Sequence, residues 1–251
     1  LRTKEWFSLT IITNFYNLIT PFRGGAVIRA IYLKKKQNFS YNNFLTTLSA
    51  IYIIIFLIGS LTGLLVMVFV WLYHGFFNLF IFLLLLGIFL FLLFIVIFSP
   101  KLLESKNKLI RIFIKVINSW HLIKNSKKII STAVLVTFIQ LILGAVNTLI
   151  SYNIFGIEIG FLKVLFIATI SHLALPLSIT PGNLGVRDVI NVFSANIVGI
   201  GLTEVVAATI LKRAITILII FILGPIFSYI LIRYKPQKNK NNNHMKNISF
   251  I

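Results

Sequence analysis

Residues 44–73 read FLTTLSAIYIIIFLIGSLTGLLVMVFVWLY, thirty positions without a charged side chain. The hydrocarbon core of a bilayer is about 30 Å thick and takes about 20 residues of helix to cross. This stretch is therefore long enough to span with tilt, or to begin in the interface. His74 and Gly75 follow, and residues 76–98 are again uncharged, which predicts two spans joined by a tight turn. Apolar runs at 129–154 and 205–232 add two more. The fold class expected is all-α: a polytopic helical membrane protein. Composition agrees, because 58% of the 251 residues are hydrophobic, only 12% are charged, and the mean hydropathy is +0.97. A soluble domain carries about 25% charged residues.

The charge is one-sided, with 24 Lys and Arg against 5 Asp and Glu. The basic residues gather between the apolar runs, at Lys34, Lys35 and Lys36, across 101–128 and after residue 232. Such clusters mark cytoplasmic loops of a membrane protein, so the net charge of +19 is not read as nucleic-acid binding. With no cysteine there is no disulfide framework, thiolate nucleophile or Cys-based metal site. His74, His121, His172 and His244 lack the close helical spacing of a metal pair, and the five acids form no cluster. No metal and no cofactor are expected, and no Ser-His-Asp set suggests catalysis. The chain opens on Leu1 without a basic n-region, apolar h-region and cleavage site, so a native N-terminal stretch is expected to be missing.

Within 101–128, Leu109, Ile112, Phe113, Val116, Ile117, Trp120 and Ile123 recur at helical spacing, with Lys108, Arg111, Lys115 and Asn118 on the other face. This is either an amphipathic helix in the headgroup layer of an anionic leaflet or a loop obeying the positive-inside rule. Both readings place it in the cytoplasm of a plasma-membrane protein. Residues 233–251, rich in Lys and Asn, form an expected disordered basic cytoplasmic tail after a transmembrane domain of residues 1–232.

Placing every basic cluster inside forces residues 205–232 to run from outside to inside. The segment 156–204 must then leave the outer surface and return to it. It holds an apolar run at 161–180, a Pro-Gly break, and only residues 186–200 before Gly201. That last stretch is short for a full crossing, so a re-entrant hairpin of two half-helices is expected.

The break reads Ile179-Thr180-Pro181-Gly182-Asn183-Leu184-Gly185-Val186-Arg187-Asp188, and the chain earlier reads Ile19-Thr20-Pro21-Phe22-Arg23-Gly24-Gly25-Ala26-Val27-Ile28-Arg29. Both are Ile-Thr-Pro, a Gly-containing break and a short apolar segment with Arg. Three crossings separate them, so the second copy is inverted relative to the first. This is the arrangement of inverted-repeat transporters, whose broken helices meet near the midplane at the substrate site. A chance likeness of two short motifs is the alternative.

At these residues the sequence resembles the transmembrane region of lysylphosphatidylglycerol synthases and related flippase-like proteins. Pro181 to Asp188 matches a Pro-Gly-Gly-x-Gly-x-Arg-Glu-like loop, Pro21 to Arg29 an earlier Pro-Gly-Arg-x-Gly-Glu-x-x-Arg-like segment, and Lys212-Arg213 a basic position in the following helix. Asn183 stands for a second Gly, Asp188 for Glu, Phe22 for Gly and Ala26 for an acid. The last change puts a carboxylate role in the first element in doubt. The resemblance implies that one or two N-terminal helices of the family are missing. It also implies that aminoacyl transfer would need a separate soluble domain as partner. The implied lipid headgroup site comprises Arg23, Gly24, Gly25 and Arg29, then Pro181, Gly182, Asn183, Gly185, Arg187 and Asp188, then Lys212 and Arg213.

The residues support this reading independently. Arg187 falls in the first turn of a half-helix, where free N–H groups and the helix dipole favour an anion. Gly182 and Gly185 permit close backbone approach and positive φ. Together they make either a phosphate cradle or a structural break. Lys212 and Arg213 lie about 12 Å along their helix from Glu204, at a depth where ionisable groups are functional candidates. They bind a ligand or only neutralise Asp188. Arg23 and Arg29 bind a ligand or simply obey the positive-inside rule beside Lys34. If all five cations converge against Asp188, an anionic ligand is implied, such as a phospholipid headgroup or a polyprenyl phosphate. Asn147, Tyr152, Asn153 and Thr169 could add headgroup hydrogen bonds or join helices to one another. The leading expectation is a protein that binds an anionic membrane lipid and moves it between leaflets. A membrane subunit presenting a lipid acceptor to an aminoacyl- or glycosyltransferase, and a ligand-free scaffold, are the alternatives.

Overall fold

The structure is a computed structural model that describes residues 3–103, 106–174 and 180–233, and every regular element among them is helical. Four helices among the described residues are long and apolar enough to cross a membrane. They are α3 (Tyr41–His74), α4 (Leu79–Phe98), α6 (Lys127–Asn153) and α9 (Leu202–Arg233). Each overlaps a run read from the sequence. The remaining helices among the described residues are α1 (Thr3–Ile19), α2 (Gly24–Gln37), α5 (Lys108–Ile123), α7 (Phe161–Leu173) and α8 (Val186–Ile197), with a 3-10 turn at Pro181–Asn183. The expected tail lies outside the described residues, apart from Arg233 at the end of α9.

The α3–α4 hairpin is closed by local chemistry. The Ser40 hydroxyl accepts from the Asn43 N–H at the start of α3. Gly75 ends the helix in the left-handed region, its N–H donating to the Trp71 carbonyl. Asn78 then caps α4 by accepting from the Ile81 N–H. At about 1.5 Å per residue the 34 residues of α3 cover roughly 50 Å, so it outruns the hydrocarbon and presents both ends to other elements.

Residues 108–123 form the helix α5 rather than a loop. Trp120 and Ile123 on its apolar face are buried against Ala50, Ile53 and Ile54 of α3 and Ile95 of α4, while Arg111 and Lys115 are exposed. Asn118 fastens the preceding chain, donating to the Leu102 carbonyl at 2.8 Å and accepting from its N–H at 3.0 Å.

The largest core gathers Met67 and Val70 of α3, Leu85 of α4, Phe166 and Ile167 of α7, and Val205 of α9. The helix α1, whose sequence reads as semi-polar, packs along α9: Leu9 and Ile12 meet Leu231, and the Phe15 ring stands edge-on to Phe221. A Cβ on Gly224 would overlap the Phe15 ring, so glycine lets the two helices approach there.

Neither α7, with 13 residues, nor α8, with 12, has the length of a span. They are tied together by a hydrogen bond between the Ser171 hydroxyl and the Asn191 side chain. The helix α7 ends at Leu173, short of the apolar run expected to continue to residue 180, and residues 175–179 lie outside the described part.

Candidate functional site

Two interrupted elements carry the motifs. The break between α1 and α2 places Phe22 at φ 51° and Arg23 at φ 56° directly after Pro21. The break before α8 places Gly182 at φ 60° and Asn183 at φ 57° directly after Pro181. Each Thr-Pro is thus followed by two consecutive left-handed residues, a conformation that is sterically unfavourable for Phe22 and Arg23. The two sequence motifs therefore share a backbone geometry.

The breaks are also neighbours. A Cβ on Gly182 would lie 2.6 Å from Leu18 Cδ1, at the end of α1. Glycine at 182 thus satisfies both the left-handed turn and the contact with α1.

Against this contact lies a cavity of about 690 Å³. The first break contributes Arg23 and, one turn into α2, Arg29; the second contributes Gly182, Asn183 and Arg187. Thr13, Asn14 and Asn17 of α1, Tyr52 of α3, Gln140 of α6 and His172 of α7 add a polar lining. Among the described residues no Asp or Glu lines it, and three arginines set its formal charge. The Arg23 guanidinium donates to the Tyr52 hydroxyl. Arg29 and Arg187 have no hydrogen-bond or ion-pair partner among the described residues.

Several lining groups are buried and unsatisfied by the protein. They are both amide atoms of Asn183, Asn17 Oδ1 and His172 Nε2. Unpaired buried polar atoms are costly, and the residues that carry these line the same space as the arginines.

The other sequence candidates fall elsewhere. Asp188 caps α8, its carboxylate accepting from the Gly185 N–H at 3.0 Å. It also receives Arg213, whose Nη1 donates to Oδ1 at 2.6 Å and pairs with Oδ2. Arg213 Nη2 donates to the Gly182 carbonyl at 2.7 Å, bracing the second break from α9. Lys212 points to α6, where Nζ donates to Thr148 Oγ1 at 2.8 Å. Neither Lys212 nor Arg213 lines the arginine cavity, and neither do Gly24, Gly25, Pro181, Gly185 or Asp188. Gly25 serves packing, since a Cβ there would overlap the Thr13 carbonyl oxygen, and a Cβ on Gly24 would overlap the Thr20 hydroxyl. Thr169 donates to the Leu165 carbonyl, and Tyr152 sits in the main core.

Sequence reasoning missed Tyr52, Asn14, Asn17 and Gln140, and treated His172 only as a scattered histidine. A signal existed on α1, where Thr13, Asn14 and Asn17 interrupt one face at helical spacing.

No curated protein and no solved structure matches the chain. Residues 1–224, which include both broken elements and all three cavity arginines, match the family model described as the lysylphosphatidylglycerol synthase TM region, and the chain belongs to that family.

Proposed function

We propose that the protein binds the headgroup of an anionic membrane lipid in the arginine cavity and moves that lipid between leaflets. The observation that carries this reading is the meeting of Arg23, Arg29 and Arg187 from two separate broken elements around a space that no acid lines among the described residues. A phosphate placed there would meet fixed donors and partly offset the charge of the arginines. Family membership supports a lipid-related role in a membrane.

The short lengths of α7 and α8 support an alternating-access mechanism. The pair α7–α8 is a re-entrant hairpin whose tip carries the second break, and α1–α2 is its inverted counterpart. Rocking one against the other about the Leu18–Gly182 contact would turn the cavity from one leaflet to the other, the alternating access of inverted-repeat transporters. In this reading the protein lies in the plasma membrane, with α5 and the C-terminal tail in the cytoplasm. The cavity reaches Leu33 and Phe39, which flank Lys34, Lys35 and Lys36, so it opens toward the basic, cytoplasmic side.

The test is reconstitution of the chain alone in vesicles containing fluorescent phosphatidylglycerol, with access of the label to an impermeant quencher as readout. Protein-dependent redistribution that is lost in Arg187→Gln supports transport. Redistribution equal to that of protein-free vesicles contradicts it.

A further inference from the structure

A second concavity lies between α8 and α9, lined at one end by the Asp188–Arg213 clamp. Its volume is about 510 Å³, and Val189, Val192, Phe193, Val206 and Ile210 form its walls. Leu202 stands at the end near the α8–α9 turn, and Asp188 with Arg213 stands at the other. Val189, Phe193 and Ile210 are exposed, so the groove faces outward from the helices. For a membrane-embedded hairpin that surrounding is hydrocarbon. From Leu202 to Arg213 the groove runs about 16 Å at the helical rise, close to half of a hydrocarbon core of about 30 Å.

The groove and the cavity share one wall. Gly182 lines the cavity, while its carbonyl is held by Arg213, which lines the groove. Arg187 and Asp188 are consecutive on α8, one lining each space. We infer that the α8–α9 groove is the acyl-chain subsite of the same lipid whose headgroup occupies the arginine cavity, an inference that rests on the function proposed above.

A lipid whose phosphate lies at the second break must keep its chains out of the polar cavity, and the adjacent apolar groove provides an outlet at that level. The direction is consistent with the cavity opening. A lipid drawn from the basic side to mid-depth has its chains pointing away from that side, which is the course of the groove from Arg213 toward Leu202. Chains already reside in hydrocarbon, so the groove contributes close packing and a fixed direction rather than transfer out of water. Its occupant is therefore expected to be ordered more than tightly held.

The experiment uses the full chain in lipid nanodiscs doped with phosphatidylglycerol carrying a diazirine near the end of one acyl chain, followed by peptide mass spectrometry after illumination. Adducts at residues 189–193 and 206–210 should exceed those on the exposed face of α4 at Leu83, Leu90 and Phe94 by at least about fivefold. Ile210→Trp, which fills the groove, should remove that excess, as should Val189→Trp on the opposite wall. Ile219→Trp, on α9 outside the groove, should leave it. Arg187→Gln should also lower the groove adducts, because the chain is placed by its headgroup. Labelling no stronger in the groove than on α4 overturns the inference, including where a second copy of the chain covers the groove. Groove labelling indifferent to Arg187→Gln overturns it as well, since the chain would then belong to another lipid. The two readings fail separately. Uniform labelling with Arg187-dependent phosphatidylglycerol binding intact rejects the groove alone, whereas binding indifferent to Arg187 rejects the headgroup site.

Discussion

Arg213 clamps Asp188 across the α8–α9 hairpin, with one guanidinium nitrogen on the carboxylate and the other on the Gly182 carbonyl. A single side chain of α9 thereby fixes both the cap of α8 and the break that lines the arginine cavity. Arg213 and Arg187 consequently have different roles, and substitutions should separate them.

Asp188→Asn leaves the Arg213 charge without its partner. Removing one member of a buried ion pair typically costs about 3 to 5 kcal/mol, and this half-buried pair should lie at or below the low end. Thermal unfolding in detergent should show a clear loss for Asp188→Asn, with part of it recovered in Asp188→Asn/Arg213→Gln. Arg213→Lys should not substitute, because an ammonium lacks the planar fork that reaches the carboxylate and the Gly182 carbonyl together. Wild-type stability in Asp188→Asn would remove the clamp from the account.

The two glycines of the second break should differ. Both have positive φ, but a Cβ at Gly182 also meets Leu18, whereas one at Gly185 meets nothing within 4 Å. Gly185→Ala should cost the strain of its own backbone, φ 81° and ψ −56°, about 1 to 3 kcal/mol, with no added clash. Gly182→Ala combines the left-handed strain with the Leu18 clash and should reduce lipid binding more than Gly185→Ala, by shifting the break away from α1. Equal effects on stability and binding would show that the Leu18 contact does not position the site.

The long spans were legible in the sequence because α3 and α4 are uncharged and their ends carry Ser40, Gly75 and Asn78, residues with capping chemistry. The helix α1 was not. Lys4, Glu5, Asn14 and Asn17 lower its mean hydropathy, and its burial depends on α9, more than two hundred residues later in the chain. The paired Thr-Pro breaks were visible as motifs, but their proximity through Leu18 and Gly182 is a matter of tertiary packing. The same limit applies to Lys212 and Arg213. Adjacent positions on a helix are turned about 100° apart, and here Lys212 and Arg213 reach different helices. Which partner each takes, Thr148 or Asp188, is decided by neighbouring helices.

The proposed orientation can be checked because the sequence contains no native cysteine. Asn125→Cys, beside α5, should react with an impermeant maleimide only after cells are permeabilised, while Glu158→Cys, in the α6–α7 turn, should react in intact cells. Both positions are exposed. Labelling at residue 125 in intact cells would reverse the topology and the direction assigned to the cavity.

The central claim is that Arg187 and its partner arginines hold an anionic headgroup, and the most direct measurement is lipid binding by the purified protein. Native mass spectrometry of the wild-type chain should show phosphatidylglycerol retained in preference to phosphatidylcholine. Arg187→Gln should lose about tenfold or more of that retention, the scale of one charge-assisted hydrogen bond of about 1.5 to 3 kcal/mol, without a fall in thermal stability. The surface variant Arg111→Gln should leave retention unchanged. Equal retention of the two lipids by the wild type, or undiminished phosphatidylglycerol binding in Arg187→Gln, would contradict the account.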